Sequence, residues 1–461
     1  MRPSPFAPGS TGVPPPVWKV FLMFLAPMMV SNILQSLSGT INSVFLGHML
    51  GVGALAAASA FFPVMLFLIS FIMGLGSGAS VLIGQAWGAK QPERVQAVAG
   101  TTLSCSLIGG VVVAIVGAIF APELLTALKT PADILAPATS YARVMLLAMP
   151  GLFVFVIFTS IMRGVGDMVT PLKALVVSTL VGLVLTPGFI RGWFGLPPLG
   201  VASAAYAAIG SFVITLVWLG IYLHRKGHAL APSGELFRHM RIEGKILRSV
   251  MKIGIPTAVQ MVIMSLAEVA LLSMVNGFGS SATAAYGVGN QVLGYVQFPA
   301  MSIAIAASIL GAQAIGAGHT DRLGLITRTG ILLNLAITGS LLLVCYVFSR
   351  SLIGFFTHDP AVVEIAQQML HIILWSALLF GCSAVVSGVM RSSGTVLWPT
   401  LLSITAIVVV EGPVAYLLSG RFGLGINGVW WAYPLTFATM LVLQSTYYRL
   451  VWRRRKIERL I

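Results

Sequence analysis

The sequence predicts an all-α polytopic membrane protein, with twelve transmembrane helices in two pseudo-symmetric six-helix lobes that form a parallel repeat. Three observations lead there: the composition, long uninterrupted apolar runs, and an internal repeat. Of 461 residues, 57% are hydrophobic and only 8% charged, with a mean hydropathy of +0.96. A soluble domain carries about 25% charged residues. No soluble core hides this much apolar sequence, because a folded surface must still face water. Lipid is therefore the solvent for most of the chain. In lipid the backbone must satisfy its own polar groups, which leaves helices or a closed barrel. Barrel strands alternate every second residue over about ten residues. This chain instead holds apolar stretches such as Ile108 to Phe120, continuing a run begun near Val95, so helices are favoured.

A span needs roughly 20 apolar residues. The first six lie near Trp18–Leu46, Val52–Ile83, Val95–Ala121, Leu135–Met162, Thr170–Ile190 and Gly200–Leu223. The second six lie near Ser249–Val275, Ala282–Leu310, Gly324–Phe348, Val362–Val389, Leu397–Leu418 and Ile426–Val451. This divides the chain into a flexible N-terminal tail (1–17), an N-lobe (18–223), a linker (224–248), a C-lobe (249–451) and a basic tail (452–461). The stretch from Met1 to Pro16 is rich in Pro, Gly and Ser and lacks the apolar core of a signal peptide. Cys105, Cys345 and Cys382 all lie in apolar segments and read as small core residues, not as disulfide or redox groups.

Lys and Arg placement orients the chain. With both termini cytoplasmic in a bacterial-type inner membrane, 22 of the 27 basic residues fall on the cytoplasmic side. The other side holds Lys129, Arg143, Arg191, Arg350 and Arg421. That asymmetry accounts for the net charge of +15 without a nucleic-acid partner. The tail Arg453-Arg454-Arg455-Lys456 suits anionic lipid at the membrane surface.

The two halves repeat each other. Gly84-Gln85-Ala86-Trp87-Gly88-Ala89 returns as Ala312-Gln313-Ala314-Ile315-Gly316-Ala317, 228 residues on. At the same offset Met162-Arg163 matches Met390-Arg391, Gly166 matches Gly394, Pro171 matches Pro399 and Gly51 matches Gly279. Gly200 matches Gly425 at an offset of 225, consistent with a short deletion. Six spans per half is an even number, so the second copy inserts in the same orientation as the first. Such parallel repeats, related by an axis along the membrane normal, recur in secondary transporters.

With these residues in place the chain resembles the multidrug and toxic compound extrusion family, within the wider group that includes lipid-linked oligosaccharide flippases. The resemblance runs over about Trp18 to Val451. It is carried by Ala26-Pro27, by the segment from Ile41 to Gly51, by the Gly-Gln-x-x-Gly-Ala signature at Gly84 to Ala89, by Arg163-Gly164-x-Gly166-Asp167 with Pro171, and by the copy at Arg391. It implies a V-shaped pair of lobes. It also implies export of organic, often cationic, amphipathic compounds in exchange for H+ or Na+, with no bound cofactor. Two positions depart from the family. Members commonly carry an Asp in the first span where Asn42 stands, and an Asn or Asp in span five where Thr186 stands. The N-lobe therefore lacks the usual acidic cation site.

Of the twelve acids, ten fall in loops, tails or span boundaries; Glu268 in span seven and Glu411 in span eleven do not. An ionisable group at membrane depth costs on the order of 2.5–3.5 kcal/mol on insertion scales, and by default marks function. Glu268, some twelve residues after Pro256, is the main proton or cation site expected. The resemblance supports it, because family members also carry a Glu in the seventh span. The competing reading is a packing hydrogen bond to a neighbouring helix. Glu411 occupies the repeat position of Thr186 and is the second such site. Gly412 and Pro413 after it should loosen the helix and free carbonyls; the competing reading places it near the outer mouth. Gln35, Asn42, Thr186, Gln260, Tyr286, Asn290 and Gln291 are candidates for a substrate cavity, although interhelical hydrogen bonding also explains such residues. Tyr286 and Trp375 could stack on a cation, against ordinary packing. His371 reads as an interface residue, and Gly74-Leu75-Gly76-Ser77-Gly78 as a close-packing face.

No Walker loop or metal-ligand spacing is present in the sequence, which argues against ATP-driven pumping and metal chemistry. The predicted protein is a monomeric secondary antiporter, not an enzyme, with small organic molecules and membrane lipids as partners. A flippase for a lipid-linked precursor is the main alternative; it would want a basic cavity, and basic residues inside the spans are nearly absent. A membrane-embedded enzyme lacks clustered catalytic groups, and a channel does not need two lobes.

Overall fold

The computed structural model describes residues 15–193, 195, 198–228, 230, 231 and 240–460. The N-terminal tail expected over 1–17 thus lies almost wholly outside the described residues, as does part of the linker. Among the described residues every regular element is helical. The first half contains α1 (Val17–Leu50), α2 (Val52–Ala60), α3 (Phe62–Gly88), α4 (Pro92–Ala127), α5 (Ala132–Leu147), α6 (Met149–Gly164), α7 (Val169–Arg191) and α8 (Ser203–Arg225). The second contains α9 (Gly244–Asn276), α10 (Ser280–Gly316), α11 (Leu323–Val347), α12 (Ser349–Gly354), α13 (Pro360–Ile373), α14 (Ser376–Ser392), α15 (Leu397–Thr405), α16 (Gly412–Tyr416) and α17 (Ile426–Leu450).

Ten helical segments are long and apolar enough to cross a membrane, and two bent pairs bring the total to twelve. The bends are α5 with α6, at 46°, and α13 with α14, at 43°. The spans read as continuous over Leu135–Met162 and Val362–Val389 are therefore broken. The two breaks come at corresponding places, because Ala132–Gly164 and Pro360–Ser392 are 228 residues apart at both ends. The backbone repeats in finer detail. Gly51 and Gly279 take φ of 88° and 102°, and Gly166 and Gly394 take 87° and 77°. These left-handed turns tolerate glycine at little cost, which explains why glycine marks both copies.

By packing, the chain forms two compact units. The first spans Val30–Gly254, and the second joins the start of α1, up to Met29, to Ile255–Leu460. The boundaries thus fall inside α1 and α9, not in the polar stretch 224–248 where the sequence repeat suggested them. A repeat records duplication, whereas a packing unit records which surfaces touch. Gly254 shows the difference: a Cβ there would sit 3.0 Å from Leu75 Cα of α3. A Cβ on Gly78 would lie 2.5 Å from the Val250 carbonyl. The first turns of α9 therefore belong to the first unit, and the glycine run of span two is a packing face.

Within each unit the repeat preserves the contact and moves the small residue. In the first, a Cβ on Gly76 would meet Ser160 Oγ at 2.5 Å, where α3 crosses α6. In the second, the corresponding residues are Ala304 and Gly388, and a Cβ on Gly388 would lie 2.5 Å from the Ala304 carbonyl. The glycine has changed helix and the close approach remains.

The segment that follows each half folds back on it. In the first unit Arg241 O accepts from Thr101 Oγ1 at 3.0 Å, and His228 Nε2 lies 4.0 Å from Asp167 Oδ2. Asp167 also accepts from the Val169 and Thr170 amides and from Thr170 Oγ1, so it caps the start of α7. In the second unit Trp452, only 2% exposed, stacks on Tyr448 and donates to Ser393 Oγ at 3.0 Å. Trp452→Ala should destabilise the protein by about 3 kcal/mol, read as a lower thermal midpoint in detergent. Gly78→Ala should also lower the midpoint, because backbone cannot give way as a side chain can.

Candidate functional site

In the second unit the site is built on a broken helix. From Ala406 to Glu411 and again from Leu417 to Arg421 the chain widens to π-helical spacing, on either side of α16. Pro413 lies between them; it has no N–H to give the preceding turn and its ring crowds the carbonyl there, which favours the first widening and not the second. Single-turn π segments occur frequently at functional sites. Glu411 closes the first of them and is buried, at 7% exposure. Glu268 stands on α9 at a position open to the surroundings, among the exposed Leu266 and Val269.

Two tyrosines pair beside Glu268. Tyr286 Oη on α10 and Tyr433 Oη on α17 are 2.9 Å apart and share a hydrogen bond. Tyr286 Oη also donates to the Glu268 backbone carbonyl at 3.4 Å, and its ring stacks on Trp430 with centroids 5.9 Å apart. Three spans thus meet at two phenols, with an indole behind them and the Glu268 backbone bonded to one of them, and Glu411 is buried on a fourth span. Such a cluster can take up or give up a proton, or hold a small cation against one or two negative charges. Among the described residues no group of three or more His, Cys, Asp or Glu is placed to hold a metal ion.

The remaining candidates divide. Gln260 Oε1 accepts from Thr400 Oγ1 at 3.4 Å, an interhelical bond between α9 and α15. Asn290 is half-buried and Gln291 exposed, both on α10. In the first unit Asn42 and Thr186 line one cavity of about 200 Å³ together with Ser38, Ser178, Thr179 and Ser211. Gln35 is exposed on α1 and is not among the residues lining that cavity. His371 packs its ring on Tyr346 and its carbonyl accepts from the Tyr346 hydroxyl, so it serves an interface. Trp375 sits at the break between α13 and α14.

Sequence reasoning missed Tyr433 and Trp430. The available signal was the run Trp430-Trp431-Ala432-Tyr433-Pro434, which crowds three aromatics with polar tips into one turn and a half of helix. Their inward placement depends on the rotation of α17, which a span apolar on every face does not encode.

The architecture is that of a polytopic helical membrane protein made of two parallel repeats, with two carboxyls inside the spans of one of them. The chain belongs to the MatE family, whose model matches residues 27–187 and 256–417. It is 45% identical to the probable multidrug resistance protein YoeA of Bacillus subtilis, over 97% of this chain and 96% of that protein. It is 26% identical to the multidrug export protein MepA of Staphylococcus saprophyticus, over 90% of each. A solved multidrug resistance MATE family transporter of the MOP superfamily, in an outward-facing conformation, shares the fold with a TM-score of 0.88. That structure is 23% identical over 98% of both chains.

Tyr286→Phe should cost about 1 kcal/mol, because it leaves the Tyr433 hydroxyl without its buried partner. Chemical denaturation of the purified protein checks this.

Proposed function

We propose that the chain is a secondary active antiporter that exports small organic compounds, cationic amphipathic ones among them, in exchange for H+ or Na+. The names of its relatives support export of drugs, and the family supports a transporter. The observation that carries the coupling reading is the presence of Glu268, its backbone bonded to the Tyr286–Tyr433 pair, and of the buried Glu411 within membrane-spanning segments. A carboxylate in hydrocarbon is tolerated when it faces a cavity or a partner, and it then commonly marks an ion pathway.

In this reading Glu268 is the main coupling site and Glu411 the second. When charged, the pair offers counter-charge to a bound cation. A proton arriving at Glu268 removes that charge and releases the cation. Tyr286 holds the backbone carbonyl of Glu268, and so fixes where its side chain starts. The two halves, 18–223 and 249–451, act as lobes that expose the site alternately to each side. The Lys and Arg asymmetry supports an inner-membrane location with both termini cytoplasmic, and the single-chain folds of its neighbours support a monomer.

The test is uptake of ethidium into inverted membrane vesicles under an imposed proton or sodium gradient. Uptake driven by one gradient and collapsed by the matching ionophore would establish antiport and name the ion. Glu268→Gln should abolish the coupled component while leaving the protein folded. Because interacting carboxyls titrate as a pair, Glu411→Gln should alter the pH dependence of transport as well as its rate. Unchanged uptake in both variants would sink this assignment. Absence of gradient-driven uptake would favour a flippase acting on a lipid-linked precursor.

A further inference from the structure

Where spans five and six meet the linker side, two lysines converge on one phenol. Lys173 Nζ, on α7, donates to Tyr222 Oη on α8 at 3.1 Å and lies 5.2 Å from the centre of its ring. Lys226, the residue just past the end of α8, sets its Nζ 4.8 Å from the same centre. The indole of Trp218 stacks on the phenol, with centroids 5.0 Å apart and planes at 15°. Trp218, Tyr222 and Lys226 are spaced four residues apart, so they form one row along α8 to its end.

The two ammonium groups have no counter-charge there. Among the described residues neither lysine pairs with a carboxylate. The acid at the start of α7, Asp167, is already engaged: it caps that helix and faces His228. One cation gains from an aromatic ring, but two cations at one ring repel each other. An anion held between them ends that repulsion.

The second half supplies the comparison. At the repeat position Tyr447 stands for Tyr222, and Trp398 stacks on it with centroids 6.2 Å apart. Leu401 stands where Lys173 does, and Val451 where Lys226 does. An aromatic stack at the end of a span therefore needs no lysine. Positive charge that only orients a span can sit anywhere near its end; it has no need to converge on a phenol. Beside the row on α8, Ile214, Val217 and Ile221 are exposed within a membrane-spanning segment, at the spacing of one helix face.

We propose that Lys173, Lys226 and Tyr222 bind the phosphate of an anionic phospholipid. Lysine binds phosphate as a point charge. Tyr222 Oη accepts from Lys173, so its own proton is left to donate to a phosphate oxygen. Trp218 then lies at headgroup depth, where indoles collect, and the exposed aliphatic face takes the acyl chains. That face is what favours a lipid over a free phosphate ion. Basic pockets between spans take anionic headgroups in other membrane proteins. The site shares no residue with the cavity lined by Asn42 and Thr186, and it asks nothing of the transport reading.

The test is native mass spectrometry of the full-length protein, purified in detergent and titrated with phosphatidylglycerol. Phosphatidylcholine and inorganic phosphate are the comparison probes. One phosphatidylglycerol should be retained more tightly than the rest, and phosphatidylcholine should not replace it. Lys173→Gln and Lys226→Gln should each weaken that first step about five-fold, and together about 30-fold, as expected of one juxtamembrane charge apiece. Lys173→Arg keeps the charge and should keep the binding, which separates charge from folding. The tail residues Arg453, Arg454 and Arg455 are exposed; changing all three to Gln should leave the first step unchanged. Equal retention of phosphatidylcholine, or a first step unchanged in the double lysine variant, would overturn the proposal. Displacement of the lipid by inorganic phosphate would overturn it as well, by showing a site for any phosphate. So would loss of the first step in the tail variant, which would place the lipid on the tail.

Discussion

Hydrocarbon cannot hydrogen-bond, and most of this molecule follows from that. Each span must close its own backbone ladder, so every regular element among the described residues is helical and the chain turns sharply only between spans or at their breaks. Helices packed in lipid gain nothing by hiding apolar surface from an apolar solvent, so close approach of small residues does the holding. Gly78 against the Val250 carbonyl and Gly388 against the Ala304 carbonyl are such approaches. Where the ladder fails the cause is chemical and local. Pro413 interrupts span eleven, the turn before it widens, and the buried carboxyl of Glu411 sits at the edge of the disturbed stretch.

The parts of this fold that can be read from sequence are those fixed by local rules. Hydropathy locates the spans. Gly51 with Gly279, and Gly166 with Gly394, mark turns whose left-handed backbone favours glycine. The offset of 228 residues predicts a duplicated backbone, and both bends respect it. What eluded the sequence depends on rotation and on non-local contact. A span apolar all round does not declare which face it turns inward, so Tyr433 and Trp430 went unmarked. The bends of α5–α6 and α13–α14 were invisible to hydropathy, which stays high through a bend. The unit boundaries inside α1 and α9 follow from who packs on whom.

The site was legible to the extent that charge is costly in lipid. Glu268 and Glu411 stood out because ten other acids could be assigned to loops, tails and boundaries. Neutral polar residues carry a weaker signal. Gln260 pairs with Thr400, Asn42 and Thr186 line a cavity, and Asn290 and Gln291 lie on the same helix as Tyr286. The sequence alone treats all five alike, because an amide or hydroxyl can serve packing as easily as recognition.

Thr186 and Glu411 occupy the same place in the two copies, and that pairing bears on how the halves divide their work. The backbone differs there as the side chains do: α7 runs past Thr186 as an unbroken α-helix, whereas the stretch ending at Glu411 widens to π-helical spacing. One half presents hydroxyls to a cavity with no charged lining. The other presents a buried carboxyl, with a second carboxyl on α9 and two bonded phenols. Duplication yields two equivalent places at first. Here one copy holds a hydroxyl in a regular helix and the other a buried carboxyl at the end of a widened turn, so side chain and backbone have diverged together.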